Sequence, residues 1–448
     1  MAKHLVGIFG GAVSGAEAAF QCAEKGITTV VFDQNALPYG KIEDGLPKWH
    51  VKLRDKEEGR INEKLSHPLV HFVPNTGLGR DLDFEEVARE WGFSAVILAI
   101  GAWRDRPLPV SGAEAYVGKG LYYQNPFIHW YNHCHEPEYD GPQYPIADGV
   151  GIIGGGLASL DVAKVLMFET VMAALKERGF ETDLFKLDRS IARVLEELGV
   201  TLDDLGIKGC TLYYRRRAKD MPLSPMVADT PEKVAKLEAV REKILNNYQS
   251  KYLFNVATQH VPCDLIVEDG HLRGLVFQET EIVDGRARAI PGTEEEVFAP
   301  YFVSSIGSIP EMIPGIPARG SVYDVADPEV CRLAGYEHVF AVGNAVTGRG
   351  NINESLKHGR EVTQQILERY LDDPMGTAVE VSVADQKEQV ARAIDGILPA
   401  VKPVSDDTFN ELMTRVKAMQ EKHGYNGDFM AWVQQHLPTR LEDLLGGH

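Results

Sequence analysis

Short apolar runs separated by helical patterns are the main feature of this chain. Apolar residues from 5 to 9 predict a buried strand, residues 16–25 predict a helix, and the β-branched run at 28–32 predicts a second strand. A glycine-rich turn lies between the first strand and the helix. This order predicts a βαβ unit.

The turn of this unit carries residues expected at a dinucleotide site. Gly10, Gly11 and Gly15 let backbone N–H groups and the helix N-terminus approach a pyrophosphate. Ala12 stands where G-x-G-x-x-G has its middle glycine, which makes that approach more crowded. Asp33 follows the second strand, where a carboxylate can accept hydrogen bonds from an adenosine ribose. A glycine-rich turn in some other α/β fold is the alternative interpretation.

A second copy of this pattern occupies residues 150–163. Gly10 aligns with Gly154, and Gly15 aligns with Ser159. Two such turns in one chain predict two nucleotide sites. We expect the second to be formed by Gly154, Gly155, Gly156, Leu157 and Ala158.

The second unit has no acid at the end of its second strand. The strand predicted at 210–214 runs instead into Arg215, Arg216 and Arg217. Guanidinium groups suit a ribose 2′-phosphate, which a carboxylate would repel. The second site is therefore expected to prefer NADPH over NADH, the alternative being a solvated basic turn.

Several later predicted strands also end at a glycine, as the first strand does. The apolar run 93–102 turns at Gly101, and the run 302–307 ends in the same way, which predicts that the chain crosses back into the first domain there. The strand at 338–342 ends on Gly343 and Asn344, and a helix is predicted from about residue 352 to 370.

Composition narrows the class of protein. A length of 448 residues allows two or three domains, and a net charge of -19 argues against nonspecific nucleic-acid binding. No apolar run is long enough to span a bilayer. Five dispersed cysteines without a C-x-x-C pair argue against a redox dithiol, a ligated iron–sulfur cluster and a secreted disulfide framework. The sequence predicts a cytoplasmic protein.

No metal site and no catalytic side chain are predicted. The His-Cys-His run at 133–135 fits a zinc site poorly, and His260 and Cys263 are interpreted as a surface loop around Pro262. No serine–histidine or paired-carboxylate arrangement is visible from spacing.

Several segments resemble one family. Pro-Tyr-Gly at 38–40, followed by Gly45 and His50, is similar to the flavin-side loop of adrenodoxin reductases, and residues 127–132 resemble their Trp-Tyr-Asn segment. Tyr-Arg-Arg at 214–216 with the following Met-Pro is closer to the glutamate synthase small subunit. The order of motifs resembles the two-dinucleotide flavoprotein reductases of this group over roughly residues 1–372.

The resemblance implies FAD at the first site and NADPH at the second, with the redox chemistry carried by the flavin. Asn344 replaces the family's aspartate, and a helix N-terminus near residue 350 is expected to stabilise the reduced ring. The residues expected at FAD are Gly10, Gly11, Ala12, Ser14, Gly15, Asp33, Gly40, Gly45, His50, Gly101, Gly343, Asn344, Gly350, Asn351 and Ile352. Those expected at NADPH are the five residues of the second turn with Arg215 and Arg216.

The electron acceptor is expected to be a ferredoxin-like or iron–sulfur protein. Glu43 stands where adrenodoxin reductases usually have an arginine, and the overall acidity disfavours an acidic partner. A local basic patch, diluted by Asp55, Glu57, Glu58 and Glu63, is the candidate dock; its basic residues are Lys48, Lys52, Arg54, Lys56, Arg60, Lys64, Arg104 and Arg106. Two alternatives stay open: a flavin-dependent reductase or monooxygenase acting on a small molecule or oxygen, and a flavoprotein subunit that is inactive without its complex.

The predicted fold class is α/β, with two Rossmann-like, three-layer (ββα) domains and the second inserted in the first. The FAD domain is assigned to 1–115 and 301–375, an inter-domain connection to 116–147, the NAD(P)H domain to 148–300, and a helical extension to 376–448. For the extension, packing on the first domain, a homodimer contact and docking of a partner are all considered.

Overall fold

The computed structural model describes residues 3–224, 228–347 and 374–446. The first of these ranges opens with strands and helices in alternation, as the periodicity predicts. They are β1 (Leu5–Phe9), α1 (Val13–Glu24), β2 (Thr28–Phe32), α2 (Lys41–Asp44), α3 (Val51–Leu65), β3 (Val70–Val73), α4 (Phe84–Arg89), β4 (Ala95–Leu98) and β5 (Arg104–Asp105).

The middle of the chain forms a second α/β unit with an antiparallel sheet attached. A 3₁₀ turn at Ala113–Tyr116 precedes it, and another at Ala218–Asp220 follows its third strand, Thr211–Tyr214. Its elements are β6 (Leu121–Tyr123), α5 (Gln124–His133), β7 (Gly151–Gly154), α6 (Leu157–Glu177), α7 (Leu184–Arg189), α8 (Ile191–Leu198), α9 (Leu202–Leu205), β8 (Thr211–Tyr214), α10 (Pro231–Tyr252), β9 (Asn255–Thr258), β10 (His260–Glu268), β11 (His271–Val283), β12 (Arg286–Ala289), β13 (Glu295–Phe298) and β14 (Phe302–Ser305).

The chain then returns to the first domain and ends in helices. These elements are β15 (Ser308–Ile309), β16 (Ala318–Arg319), β17 (Val322–Tyr323), β18 (Val325–Asp327), β19 (Arg332–Leu333), β20 (Val339–Ala341), α11 (Asn344–Thr347), α12 (Pro374–Ile397), a 3₁₀ turn (Leu398–Ala400), α13 (Asp406–Lys422), α14 (Phe429–His436) and α15 (Leu441–Leu444). The helix predicted from about 352 to 370 lies outside the described residues. No helix within the described ranges is long and apolar enough to cross a membrane.

The first domain is built on a seven-stranded sheet in the order β18-β19-β20-β4-β1-β2-β3. The five strands from β20 to β3 are parallel, which brings their carboxyl ends to one edge. One face of the sheet packs on α1, α3 and α12, and the other packs on α4 and α13. The glycine turn after β1 therefore opens at the edge where parallel α/β sheets bind ligands.

The second domain has the predicted three layers. Its parallel sheet runs β6-β14-β7-β8-β9, with α6 and α10 in the apolar core on one face. The antiparallel sheet of β10–β13 packs on the other face through Leu272, Leu275 and Phe277. At its hairpin, Asp269 and Gly270 both have positive φ, as a two-residue Asp-Gly turn requires.

The predicted return to the first domain at residue 301 is wrong. Phe302–Ser305 pairs with β7 and β6 of the second sheet, so both it and residues 121–123 of the assigned connection belong to the second domain. The chain crosses between domains on β5 and β15, which pair antiparallel as a two-stranded ribbon. A strand that ends in glycine looks the same in either sheet, because its pairing partners are distant in sequence.

The helical extension packs on the first domain, which confirms one of the three fates considered for it. Leu412 and Val416 of α13 are buried against one face of the first sheet. On the other side, Phe72 makes edge-to-face ring contacts with Tyr425 and Phe429. The Trp432 indole N–H donates to the carbonyl oxygen of Ala36 at 2.8 Å.

Candidate functional site

A cavity of about 1530 Å³ is lined by both glycine turns. We call residues 10–15 the first glycine turn and residues 154–159 the second. The cavity continues along the inter-domain ribbon through Ser308 and along α5 through Asn125. A ligand on each turn would therefore occupy one continuous space.

Asp33 faces the first glycine turn. The Gly11 backbone N–H donates to Asp33 Oδ2 at 2.7 Å, and the Asn35 N–H donates to Oδ1 at 2.9 Å. Burial raises the pKa of Asp33 to about 6, although these two backbone donors lower it. The carboxylate lines the cavity beside Gln34 and Thr76, which is the position expected for a ribose acceptor.

The glycines of the first turn are required by close packing. A Cβ on Gly15 would lie 1.7 Å from the Gly10 carbonyl oxygen, and one on Gly11 would lie 2.6 Å from Pro38 Cβ. Both distances are shorter than any real contact, so helix α1 and strand β1 approach each other only through glycine. This close approach keeps the N-terminus of α1 at the cavity wall.

Both helices that follow the glycine turns begin without a side-chain cap. Ala12 precedes α1 and Gly156 precedes α6, and neither supplies a capping oxygen. By contrast, Asp83 caps α4 and Thr230 caps α10. The first N–H groups of α1 and α6 therefore remain available to a phosphate.

The second glycine turn packs on an aromatic ring. A Cβ on Gly155 would lie 2.2 Å from the Tyr214 ring, whose hydroxyl donates to the Asp220 carbonyl oxygen at 3.0 Å. Ser159 replaces the third glycine, and its hydroxyl donates to the Gly156 carbonyl oxygen at 2.6 Å. At the third glycine position, the second turn therefore has room for a side chain, whereas the first turn has none.

Cationic side chains line the cavity beside the second turn. Arg215 and Arg216 face it as predicted, whereas Arg217 makes a bidentate ion pair with Asp220 at 2.8 and 2.9 Å. Arg241 on α10 also lines the cavity and was missed, because α10 was not predicted. Pro231 after the Thr230 cap was the available signal for that helix.

A half-buried lysine lies where the two halves of the cavity meet. Lys41 Nζ donates to Asn125 Oδ1 at 3.0 Å and to Ser308 Oγ at 3.1 Å, and it lies 5.6 Å from the centre of the Trp103 ring. Burial lowers the pKa of Lys41 to about 8, and nearby Asp105 opposes this shift. No local pattern predicts these contacts, because the three partners of Lys41 come from separate segments.

Most predicted cofactor residues line the cavity. On the first side these are Gly10, Ala12, Ser14, Asp33, Gly40, Gly45, Gly101 and Asn344, and on the second side all seven predicted residues. Gly11, Gly15 and Gly343 do not line the cavity but pack closely behind its wall. A Cβ on Gly343 would lie 2.3 Å from Ser14 Oγ. Gly350, Asn351 and Ile352 lie outside the described residues.

His50 does not line the cavity. It precedes α3 beside Trp49, with ring centres 5.8 Å apart, and burial together with nearby Lys164 lowers its pKa to about 3. Conversely, His260 and Pro262 lie on strand β10 and line the cavity, so the surface loop predicted there is wrong. The β-bulge in β10 next to Pro262 explains why no regular alternation was visible.

The extension also reaches the cavity, which the sequence did not predict. One face of α12 lines it, and the Ser14 hydroxyl on α1 donates to Gln386 Oε1 at 3.1 Å. The lining residues of α12 are Ala378, Val379, Ser382, Val383 and Gln386.

The basic patch predicted around α3 is largely neutralised by ion pairs. Arg54 pairs with Glu442, Lys56 with Glu380 at 2.7 Å, Arg60 with Glu57, and Lys64 with Glu17. Glu380 and Glu442 belong to the extension, so residues far away in sequence cancel this charge. Local composition overstated the positive potential of this surface.

No protein-family model matches the chain, but individual proteins do. It is 27% identical over 218 residues to the mitochondrial NADPH:adrenodoxin oxidoreductase of Arabidopsis thaliana, a match that spans 45% of this chain and 43% of that relative. It is 24% identical over 389 residues to the glutamate synthase [NADPH] small chain of Bacillus subtilis, spanning 84% of this chain and 68% of that one. The fold matches that of Mycobacterium tuberculosis FprA in complex with NADPH, with a TM-score of 0.66, 18% identity and coverage of 94% and 91%.

The inserted second domain and the paired glycine turns give the chain the α/β fold of FprA, with two Rossmann-like domains. Over most of its length the chain is similar to the glutamate synthase [NADPH] small chain, and over less than half of it to the NADPH:adrenodoxin oxidoreductase.

Proposed function

We propose that this chain is an FAD-dependent oxidoreductase that accepts electrons from NADPH and passes them to a ferredoxin-like or iron–sulfur protein. The single observation that carries the proposal is the continuous cavity lined by both glycine turns, with a carboxylate at one and arginines at the other. The bound flavin supplies the chemistry, as hydride acceptor and electron carrier.

The first glycine turn fits the adenine dinucleotide of FAD. The uncapped N-terminus of α1 offers N–H groups to the pyrophosphate, and Asp33 accepts hydrogen bonds from the ribose. Asn344 lines the same cavity and can bond hydroxyl groups of the cofactor.

The second glycine turn fits NADPH. Arg215 and Arg216 present guanidinium groups to the cavity, and Arg241 adds a third cation there. Three cations favour a 2′-phosphate here, although Asp220 also lines the cavity and lies 3.6 Å from Arg216. Lys41 places a further positive charge between the two sites, beside the ribbon that joins the domains.

The oxidoreductase proposal is tested by reconstituting the protein with FAD and titrating it anaerobically with reduced nicotinamides. We expect one tightly bound FAD per chain, bleached rapidly by NADPH and much more slowly by NADH. Failure to retain FAD, or bleaching by neither nucleotide, would contradict the proposal. Equal rates with both nucleotides would contradict only the role of the arginines.

The acceptor is tested separately. The paired charges around α3 weaken the case for an acidic partner docking there, and this observation favours the second candidate, reduction of a small molecule or oxygen. NADPH-dependent reduction of an added ferredoxin, faster than oxygen uptake, would support the first candidate. Fast oxygen uptake with no ferredoxin reduction would support the second, and slow turnover with both would favour a subunit that needs its complex.

A further inference from the structure

Helix α5 carries two histidines one turn apart that face the end of α2. His133 Nε2 lies 3.1 Å from Asp44 Oδ1, and His129 Nε2 lies 3.8 Å from the same oxygen. The two imidazole ring centres are 4.7 Å apart. Two imidazoles and one carboxylate thus converge on one point.

The spacing of these atoms suits a small cation. Tetrahedral zinc with bonds of about 2.0–2.1 Å holds its ligand atoms roughly 3.4 Å apart. The distances of 3.1 and 3.8 Å from Asp44 Oδ1 bracket this value, and the ligand atoms of all three residues lie within 4.8 Å of one another. The His129 side chain is 46% exposed, so it has room to rotate towards the other two ligand groups.

The second nitrogen of His133 has a carboxylate partner. Glu136 Oε1 lies 2.6 Å from His133 Nδ1, which directs Nε2 of the same ring towards Asp44. Histidines that bind metals commonly have such a carboxylate on the other nitrogen, which fixes the ring and raises its basicity. The arrangement therefore includes an orienting group as well as three ligand groups.

We propose that Asp44, His129 and His133 bind a divalent transition-metal cation of the zinc class, with Glu136 as the positioning residue. The two imidazole ligands favour this class of metal over calcium and magnesium, which prefer sites built from oxygen ligands. Two carboxylates with two neutral imidazoles also balance the charge of the cation. The exposed edge of His129 leaves one coordination position for water.

The cation would join two elements that border the cavity without entering it. None of Asp44, His129 and His133 lines the cavity, yet Lys41 of α2 and Asn125 of α5 both do. A metal bound here would hold α2 against α5 and so stabilise the wall at Lys41. The role is structural and does not depend on the proposed function.

A metal-free alternative uses the same contacts. A protonated His133 would form ion pairs with Asp44 and Glu136, and His129 would then be dispensable. The variant His129→Gln distinguishes the metal site from the metal-free ion pairs, because it removes one metal ligand and leaves both contacts of His133 intact.

The test uses the full-length, tag-free protein after chelation, titrated with Zn²⁺ by calorimetry and with Co²⁺ by visible absorption. We expect one equivalent of metal to bind per chain. The visible absorption bands of bound Co²⁺ should be those of a four- or five-coordinate ion, and Zn²⁺ should raise the melting temperature. His129→Gln should weaken binding by at least about tenfold, and Glu136→Gln by about 10–100-fold. His271→Gln, on an exposed hairpin, is the matched control and should bind as the wild type does.

Two results would overturn the proposal. One is a wild-type protein that binds neither metal more tightly than millimolar. The other is binding that His129→Gln and His271→Gln weaken equally, since this would place the cation elsewhere. Neither result bears on FAD content or NADPH oxidation, so the proposed function is judged independently.

Discussion

The two glycine turns have similar backbones but face different residues. Opposite the first turn, Asp33 accepts the Gly11 N–H at 2.7 Å, and a Cβ on Gly15 would lie 1.7 Å from the Gly10 carbonyl oxygen. Opposite the second, arginines replace the acid, and Ser159 occupies the position of the third glycine. The first turn is thus constrained mainly by packing, and the second is distinguished mainly by charge.

This difference separates two properties of a dinucleotide site. The glycine turn and the uncapped helix create a place for phosphate, which both sites have. The residues after the neighbouring strand choose between nucleotides, since a carboxylate suits a free ribose and guanidinium groups suit a 2′-phosphate. Substitutions in the first turn should therefore affect folding and cofactor retention, and substitutions after β8 should affect only nucleotide choice.

The largest expected effect is that of Gly15→Ala. The added methyl group overlaps the Gly10 carbonyl oxygen, so α1 must move away from β1, at about 3 kcal/mol or more. We expect loss of bound FAD and a clearly lower melting temperature, measured by the flavin-to-protein ratio and by thermal unfolding.

Ser159→Ala is the matched control in the second turn. It removes one hydroxyl, which donates to the Gly156 carbonyl oxygen, and it should change the free energy of unfolding by less than about 1 kcal/mol. If both variants retained FAD and melted together, the contrast in packing between the two turns would be wrong.

The double variant Arg215→Ala/Arg216→Ala addresses the contrast in charge. Loss of two charge-assisted contacts to a 2′-phosphate should lower kcat/KM for NADPH by about 100-fold. The value for NADH should stay within about twofold, because NADH has no phosphate there. Steady-state kinetics with both nucleotides measure the shift in preference.

Arg217→Ala provides the comparison within the same arginine run. Its guanidinium group is already paired with Asp220 at 2.8 and 2.9 Å, so the loss in kcat/KM for NADPH should be less than about fivefold. A loss as large as that of the double variant would show that the run acts through its total charge.

Local patterns predicted the elements that carry the two turns. The strand Leu5–Phe9 has the predicted bounds, and helix α1 and strand β2 follow it as expected, because strand, turn and helix signals all lie within one short stretch. The arginines that line the cavity at the second turn were likewise predictable, since Arg215 and Arg216 directly follow a predicted strand.

Features that depend on contacts between segments far apart in the sequence could not be predicted from local patterns. The sheet to which Phe302–Ser305 belongs is decided by pairing with β7, and nothing within the strand distinguishes the two sheets. Arg241 reaches the cavity because α10 packs beside the Ala218–Asp220 turn, where it donates to the Lys219 carbonyl oxygen. In the same way, Gln386 meets Ser14 across most of the chain length.

Apart from the control variants, the smallest expected effect concerns Lys41, the cation between the two sites. Burial lowers its pKa from 10.5 to about 8, so the charged form destabilises the folded protein at neutral pH. Lys41→Met should therefore raise the free energy of unfolding at pH 7 by about 2 kcal/mol, less than the full pKa shift corresponds to, because the two hydrogen bonds of Lys41 Nζ are lost as well. Between pH 8 and 10.5 the folded wild type has released a proton that the unfolded chain still holds, so wild-type stability rises and the advantage of the variant shrinks across this window.

Urea unfolding at several pH values measures this difference in stability. Lys52→Met, on the exposed side of α3, is the control, with no comparable gain expected. A variant that is less stable than the wild type at pH 7 would mean that the bonds to Asn125 and Ser308 outweigh the desolvation of the ammonium group, and that Lys41 holds the inter-domain ribbon in place.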